Sequence, residues 1–265
     1  MKVCSFCQAK LAPDMSRCKA CGKWNMTRDV QTASRRVLLS DVTALTIPRY
    51  LTGPWDVCFG GGIVPTSVSL LAGEPGAGKS TILLHIADQV AGQRPDVLYI
   101  ATEEGESQIK DRADRLQLQN MHQIVLANGM GQDLELPALL RELRPTLVIL
   151  DSLPGFTGRN DRDESIEVVR LLKNYAVANE SPVIVTDHVT KELDYAGYMA
   201  LLHAVDCLLM LDRKRVLTVE KNRNGPAPLS LYMKMTAKGL IVSSRAETSS
   251  PPCAPSSERA DQNDD

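Results

Sequence analysis

The sequence has no apolar run near the roughly 20 residues that a bilayer-spanning helix needs. Its start, Met1-Lys2-Val3-Cys4, lacks the apolar core of a secretory signal. These two features argue against a spanning helix and a secretory leader and predict a cytoplasmic setting, where thiols stay reduced. A charge surplus is also missing: 30 Lys and Arg stand against 32 Asp and Glu, a net charge of −2. Overall charge therefore argues neither for nor against a nucleic-acid partner. No internal repeat is present, which excludes a repeat array. What remains is 265 residues, 43% hydrophobic and 23% charged, enough for one large α/β domain and a small module.

The chain is organised around Gly73-Glu74-Pro75-Gly76-Ala77-Gly78-Lys79-Ser80-Thr81, which fits the phosphate-loop pattern G-x-x-x-x-G-K-[ST]. Residues 67–72 before it form a short apolar segment between Pro65 and Gly73, the pattern of a buried strand. Residues 81–90 after it have helical spacing. Glycines let successive N–H groups turn toward an anion, and the helix N-terminus adds free donors and a positive dipole end. Lys79 is then placed for the β- and γ-phosphates of a nucleoside triphosphate, and the Ser80 hydroxyl for Mg²⁺, a reading that fits a kinase, a GTPase or a transporter subunit as well as an ATPase.

Near the N-terminus, Cys4-x2-Cys7 and Cys18-x2-Cys21 are thiol pairs ten residues apart. Four thiolates at this spacing make a closed structural Zn²⁺ site, whereas a reducing compartment disfavours two disulfides. So short a segment has little core, and the metal would supply most of its stability. Residues 1–28 carry six basic residues (Lys2, Lys10, Arg17, Lys19, Lys23, Arg28) and one acid, Asp14. This face is either a DNA-backbone contact or a solvated surface. Trp24 either covers the metal site or stacks on a base. Cys58 and Cys207 read as core residues and Cys253 as a tail residue.

The main domain then reads as alternating strands and helices. Residues 96–101 form a strand ending in Thr102-Glu103-Glu104, at the edge where open α/β sheets bind ligands. Glu103 or Glu104 orients an attacking water, or both are solvated acids at a helix start. A helix over 107–116, a strand over 123–126 and a helix over 134–143 follow, with Pro137 in the first turn of the last. Residues 146–151 are an apolar strand ending in Asp151, the Walker B element that holds Mg²⁺. A polar loop over 152–163, a helix over 164–179 and a strand over 182–187 come next. His188 at that strand's end either senses the γ-phosphate or bonds to a neighbouring loop. Three segments, 208–210, 216–219 and 229–233, read as antiparallel edge strands. Between the last two lies Lys221-Asn222-Arg223-Asn224-Gly225-Pro226, a basic turn.

Together these motifs resemble the RadA/Sms family of bacterial recombination and repair ATPases. The resemblance is carried by the cysteine module with Cys21-Gly22-x-Trp24-Asn25, Asp56 with Gly60-Gly61-Gly62, and Gln108-Ile109-x-x-Arg112-Ala113-Asp114-Arg115-Leu116. His188-Val189-Thr190-Lys191-Glu192, Ala196-Gly197 and Val205-Asp206 extend it to about Ile241. It implies a RecA-like core in a ring, a hexamer, acting on single-stranded and branched DNA beside a recombinase or replisome partner. It implies Glu103 as the catalytic carboxylate, and Lys221 and Arg223 as residues acting across a subunit interface. Loops 152–163 and 188–198 are expected to face the ring channel, with Arg159, Arg162 and Lys191 as phosphate contacts, by analogy with RecA-like folds. Two departures stand out. Asn224 occupies the family's phenylalanine position, which makes the turn similar to that of DnaB-type replicative helicases. The family's C-terminal Lon-protease-like domain has no counterpart here, so the resemblance is to a short form.

The expected architecture is α/β. A zinc finger spans residues 1–28, a linker 29–50, a RecA-like P-loop core 51–242, and a disordered acidic tail 243–265. The core is a mostly parallel sheet flanked by helices, with antiparallel edge strands.

Overall fold

The computed structural model describes residues 2–4, 9–11, 18–22, 27–29, 38, 40, 48–129, 135–157, 162–188, 195–236 and 238–246. Three short strands open it: β1 (Lys2–Cys4), β2 (Lys10–Leu11) and β3 (Thr27–Asp29), with β1 antiparallel to both others.

The core is a nine-stranded sheet. Its strands are β4 (Val68–Gly73), β5 (Val97–Ala101), β6 (Ile124–Asn128), β7 (Leu147–Asp151), β8 (Val183–His188), β9 (Cys207–Leu211), β10 (Val216–Asn222), β11 (Leu229–Thr236) and β12 (Gly239–Ala246). Their spatial order is β12-β11-β10-β9-β4-β8-β7-β5-β6. Every pairing from β9 to β6 is parallel, and those among β9 to β12 are antiparallel.

The helices are α1 (Lys79–Ala91), α2 (Glu106–Arg115), α3 (Leu136–Leu143), α4 (Leu153–Thr157), α5 (Arg162–Asn179) and α6 (Tyr195–Ala204). Strand alternation assigns them to two layers. In β7, Leu147 and Ile149 join a core cluster with Ile82, Leu83, Ile86 and Val90 of α1 and Ile109 of α2. Val148 and Leu150 point the other way, toward Leu140 of α3, Phe156 of α4, Leu172 of α5 and Leu201 of α6. The central strands are buried on both faces, which is why they read as continuous apolar runs.

Four expectations are corrected. Residues 208–210 belong to β9, which pairs parallel with β4 and lies inside the sheet, because α6 carries the chain back across it. The expected loop over 152–163 contains α4 and the first residues of α5. The expected loop over 188–198 becomes α6 from Tyr195. The strand β12 continues to Ala246, past the expected start of the tail, because it pairs with β11 along its whole length.

The glycine turn at 60–62 has a packing role. A Cβ on Gly60 would lie 2.4 Å from the Asn224 carbonyl oxygen, and one on Gly225 would lie 2.5 Å from the Gly60 Cα. Here two backbones touch directly, which only glycine permits. Arg49 closes the junction by donating to the carbonyls of Phe59, Gly62 and Asn224.

Candidate nucleotide site

Four adjacent parallel strands end on one edge of the sheet. The phosphate loop follows β4, His188 closes β8, Asp151 closes β7 and Glu103 follows β5. Register makes this exact at the backbone: Gly73 is opposite His188, and Ala101 is opposite Asp151. The cleft there has a volume of about 330 Å³ and is lined by the loop, Glu103, Glu104, Arg112, Asp151 and His188, among others.

The loop takes its expected form. Gly76 and Gly78 have φ of 75° and 111°, the left-handed range that side chains disfavour. Lys79 begins α1, and its Nζ donates to the carbonyls of Gly73 at 2.8 Å and Glu74 at 3.1 Å. The Lys79 ammonium is buried, which lowers its pKa, while Asp151, Glu103 and Asp187 partly restore it. The same Nζ lies 3.3 Å from His188 Nδ1, and His188 Nε2 lies 2.9 Å from Glu103 Oε1. An ammonium can only donate, so Nδ1 accepts and Nε2–H donates to Glu103. Ser152 Oγ donates to the same Glu103 oxygen at 2.6 Å.

Asp151 is held between two neutral donors. Tyr99 Oη of β5 donates to Oδ2 at 2.6 Å, and Thr186 Oγ1 of β8 donates to Oδ1 at 2.8 Å. Burial, then the Asp151 charge, pushes the Tyr99 phenol well above its ordinary range, so it remains a donor. Ser80 and Asp151 line the same cleft, an oxygen-only donor set of the kind Mg²⁺ takes. The two candidate acids are separated by geometry. Glu104 is tied in a two-pronged pair with Arg112, at 2.6 and 2.7 Å, whereas Glu103 faces Lys79 through His188. The Glu104 bond raises the Arg112 pKa above its ordinary value.

Lys221 and Arg223 lie elsewhere. Asn222 is opposite Cys207 at the start of β9, so both cations sit at the sheet edge opposite the phosphate loop. Lys221 Nζ donates to the carbonyls of Leu202 and Val205, at 2.7 and 2.9 Å, around the end of α6. Burial, then the Arg223 charge, lowers the Lys221 pKa. Arg223 Nη1 lies 3.3 Å from Asp206 Oδ1, and its side chain is 56% exposed. Asp206 also accepts from Lys173 and from the Val68 N–H.

In the N-terminal module, the sulfurs of Cys4, Cys18 and Cys21 all lie within 4.8 Å of one another. Cys4 and Cys18 are buried. Cys7, Trp24, Arg159 and Lys191 lie outside the described residues, and Arg162 is the first residue of α5. Sequence reading did not single out Tyr99, Thr186, Ser152, Arg213 or Arg215. Each is an ordinary strand or turn residue until strand order puts it beside the cleft.

A phosphate loop, a strand-end aspartate and a neighbouring strand-end glutamate on a RecA-like sheet define a P-loop ATPase core. A family model described as an AAA domain matches residues 55–194, and the chain belongs to that family. The DNA repair protein RadA of Bacillus subtilis is 30% identical over 90% of this chain and 58% of its own length. Those of Escherichia coli and Mycobacterium tuberculosis are 31% and 35% identical, covering 90% and 84% of this chain. These relatives bear out the resemblance read from the motifs, and the chain spans only 58% of the first two and 52% of the third. Among solved structures, a KaiC-like protein from Pyrococcus horikoshii superposes with a TM-score of 0.64 at 16% identity, over 74% of this chain and 99% of its own. Among the described residues, no helix is long and apolar enough to cross a membrane.

Proposed function

We propose that the chain is a DNA-dependent ATPase of the RadA type, acting on single-stranded and branched DNA in recombination and repair. The observation that carries this is the line Lys79–His188–Glu103 beside Asp151, on four adjacent strand ends. Lys79 and the N–H groups of residues 76–81 bind the phosphates of ATP, and Ser80 and Asp151 hold Mg²⁺. Glu103 orients the attacking water and takes its proton. His188 links Glu103 to Lys79, so it meets the γ-phosphate region and the chain segment that follows β8.

The opposite-edge position of Arg223 supports a shared site in a ring, a hexamer on the resemblance. Each subunit offers its phosphate loop to one neighbour and Arg223 to the other. Lys221 anchors the turn on α6. Arg159, Arg162 and Lys191 meet DNA phosphates, and a recombinase or replisome component is the protein partner. The four cysteines Cys4, Cys7, Cys18 and Cys21 hold one structural Zn²⁺, a reading supported by the convergence of three of their sulfurs. A cytoplasmic location goes with these reduced thiols.

The test is ATP turnover with and without single-stranded DNA. Severalfold stimulation is expected. Turnover that ignores DNA would point instead to a nucleotide-controlled assembly scaffold. Strand displacement on a three-stranded substrate would point to the helicase that the Asn224-containing turn resembles.

A further inference from the structure

Leu211, the last residue of β9, is opposite Gly73 in the parallel register, so the β9–β10 turn rises beside the phosphate loop. It approaches the loop from outside. Arg213 pairs with Glu74 at 2.8 Å, but Arg213 is largely exposed and Glu74 about half-exposed, and such a pair contributes little. Arg215 makes the closer contact. Its Nη1 donates to the Gly76 carbonyl at 3.1 Å and also to the Ala77 carbonyl. A Cβ on Gly78 would meet that Nη1 at 3.2 Å.

The turn that presents Arg215 has its own backbone bonds closed. The Arg215 N–H donates to the Asp212 carbonyl at 3.1 Å, and its carbonyl accepts the Met233 N–H at 2.9 Å. Asp212 Oδ1 accepts the Val216 N–H at 2.8 Å. The guanidinium is therefore carried by a fixed hairpin. The loop it touches is rich in glycine and costly to order. In such a loop the N–H groups face the anion and carbonyls face away.

We propose that Arg215 is a positioning residue for phosphate binding. It holds the outward carbonyls of Gly76 and Ala77, so that the inward N–H groups are already set for a polyphosphate. It touches no phosphate itself. The inference rests on the loop being a nucleotide site.

The test uses the full chain with Mg²⁺ and three probes: ATP, ADP and inorganic tripolyphosphate. Arg215→Met keeps the bulk and removes the donors, and its Kd should rise about tenfold for all three probes, the scale of one charged hydrogen bond. The melting temperature without ligand should stay at the wild-type value, and the loss should fall on KM more than on kcat. Arg215→Lys should recover part of the loss, and Arg213→Ala should bind as wild type. Arg215→Gln is too short to reach the carbonyls and repeats the measurement should the Met variant not fold. Affinities of the Met or Gln variant within about twofold of wild type overturn the clasp. A loss confined to ATP and ADP, sparing tripolyphosphate, overturns it too. Wild-type protein that binds no ATP would remove the nucleotide reading and the clasp together, an outcome distinct from loss in the variants alone.

Discussion

His188 Nε2 and Glu103 Oε1 are 2.9 Å apart, and the other nitrogen of the same imidazole is 3.3 Å from the Lys79 ammonium. One ring thus joins the end of β8 to the lysine of the phosphate loop and to an acid beyond β5, with β7 between those two strands. Glu103→Gln should lower turnover by roughly 10²–10⁴-fold while ATP still binds, the range for loss of a general base. His188→Ala frees the Glu103 carboxylate from the ring and should also reduce turnover, more through kcat than through nucleotide affinity. Steady-state kinetics beside equilibrium binding separates the two effects. Full activity in His188→Ala would remove the ring from the mechanism.

Arg223 and Lys79 lie at opposite edges of one sheet, so in the proposed ring a lesion in each should complement across the subunit interface. Arg223→Ala alone should lower turnover by about 10³–10⁵-fold, as loss of an arginine supplied in trans does. Mixing it with Lys79→Ala subunits should restore part of the activity, because some interfaces then pair an intact loop with an intact Arg223. ATPase measured against mixing ratio should pass through a maximum. A flat, inactive series is the contrary result.

The sulfur cluster predicts metal content and stability together. The purified chain should carry about one zinc per molecule, and Cys18→Ser should lose it. Because the short β1–β3 sheet buries little, chelation should unfold that module and leave the large sheet intact. Metal analysis with limited proteolysis reads both. A metal-free chain with a protease-resistant N-terminus would refute the site.

Cys207 sits between β4 and β10 at 2% exposure, and burial, then the Asp206 charge, pushes its thiol up to about 12 from an ordinary 9.0. The folded state therefore binds the proton more tightly than the unfolded chain does. This stabilisation is complete below pH 9.0 and is lost as pH rises toward about 12. In native protein at pH 8, iodoacetamide should leave Cys207 unlabelled, and labelling should appear on unfolding. Mass spectrometry of the tryptic peptide checks it. Rapid native labelling would contradict the burial.

Local, contiguous features were decided by the sequence alone. The phosphate loop needs its glycines, lysine and serine within nine residues, and the four N-terminal cysteines proposed to hold a metal come as two close pairs, so both are visible without a fold. The parallel strands were visible because burial on both faces makes them continuous apolar runs. Strand order was not visible, since pairing joins residues far apart: β4 neighbours β8, and β9 follows β4 in space although α1 to α6 intervene in sequence. That order alone brings Tyr99 and Thr186 onto Asp151 and sets Glu103 apart from Glu104. It also lays Arg215 against the loop and carries Arg223 to the far edge. Propensity likewise misplaced α4, the start of α6 and the end of β12, whose limits depend on packing and pairing that no local window contains.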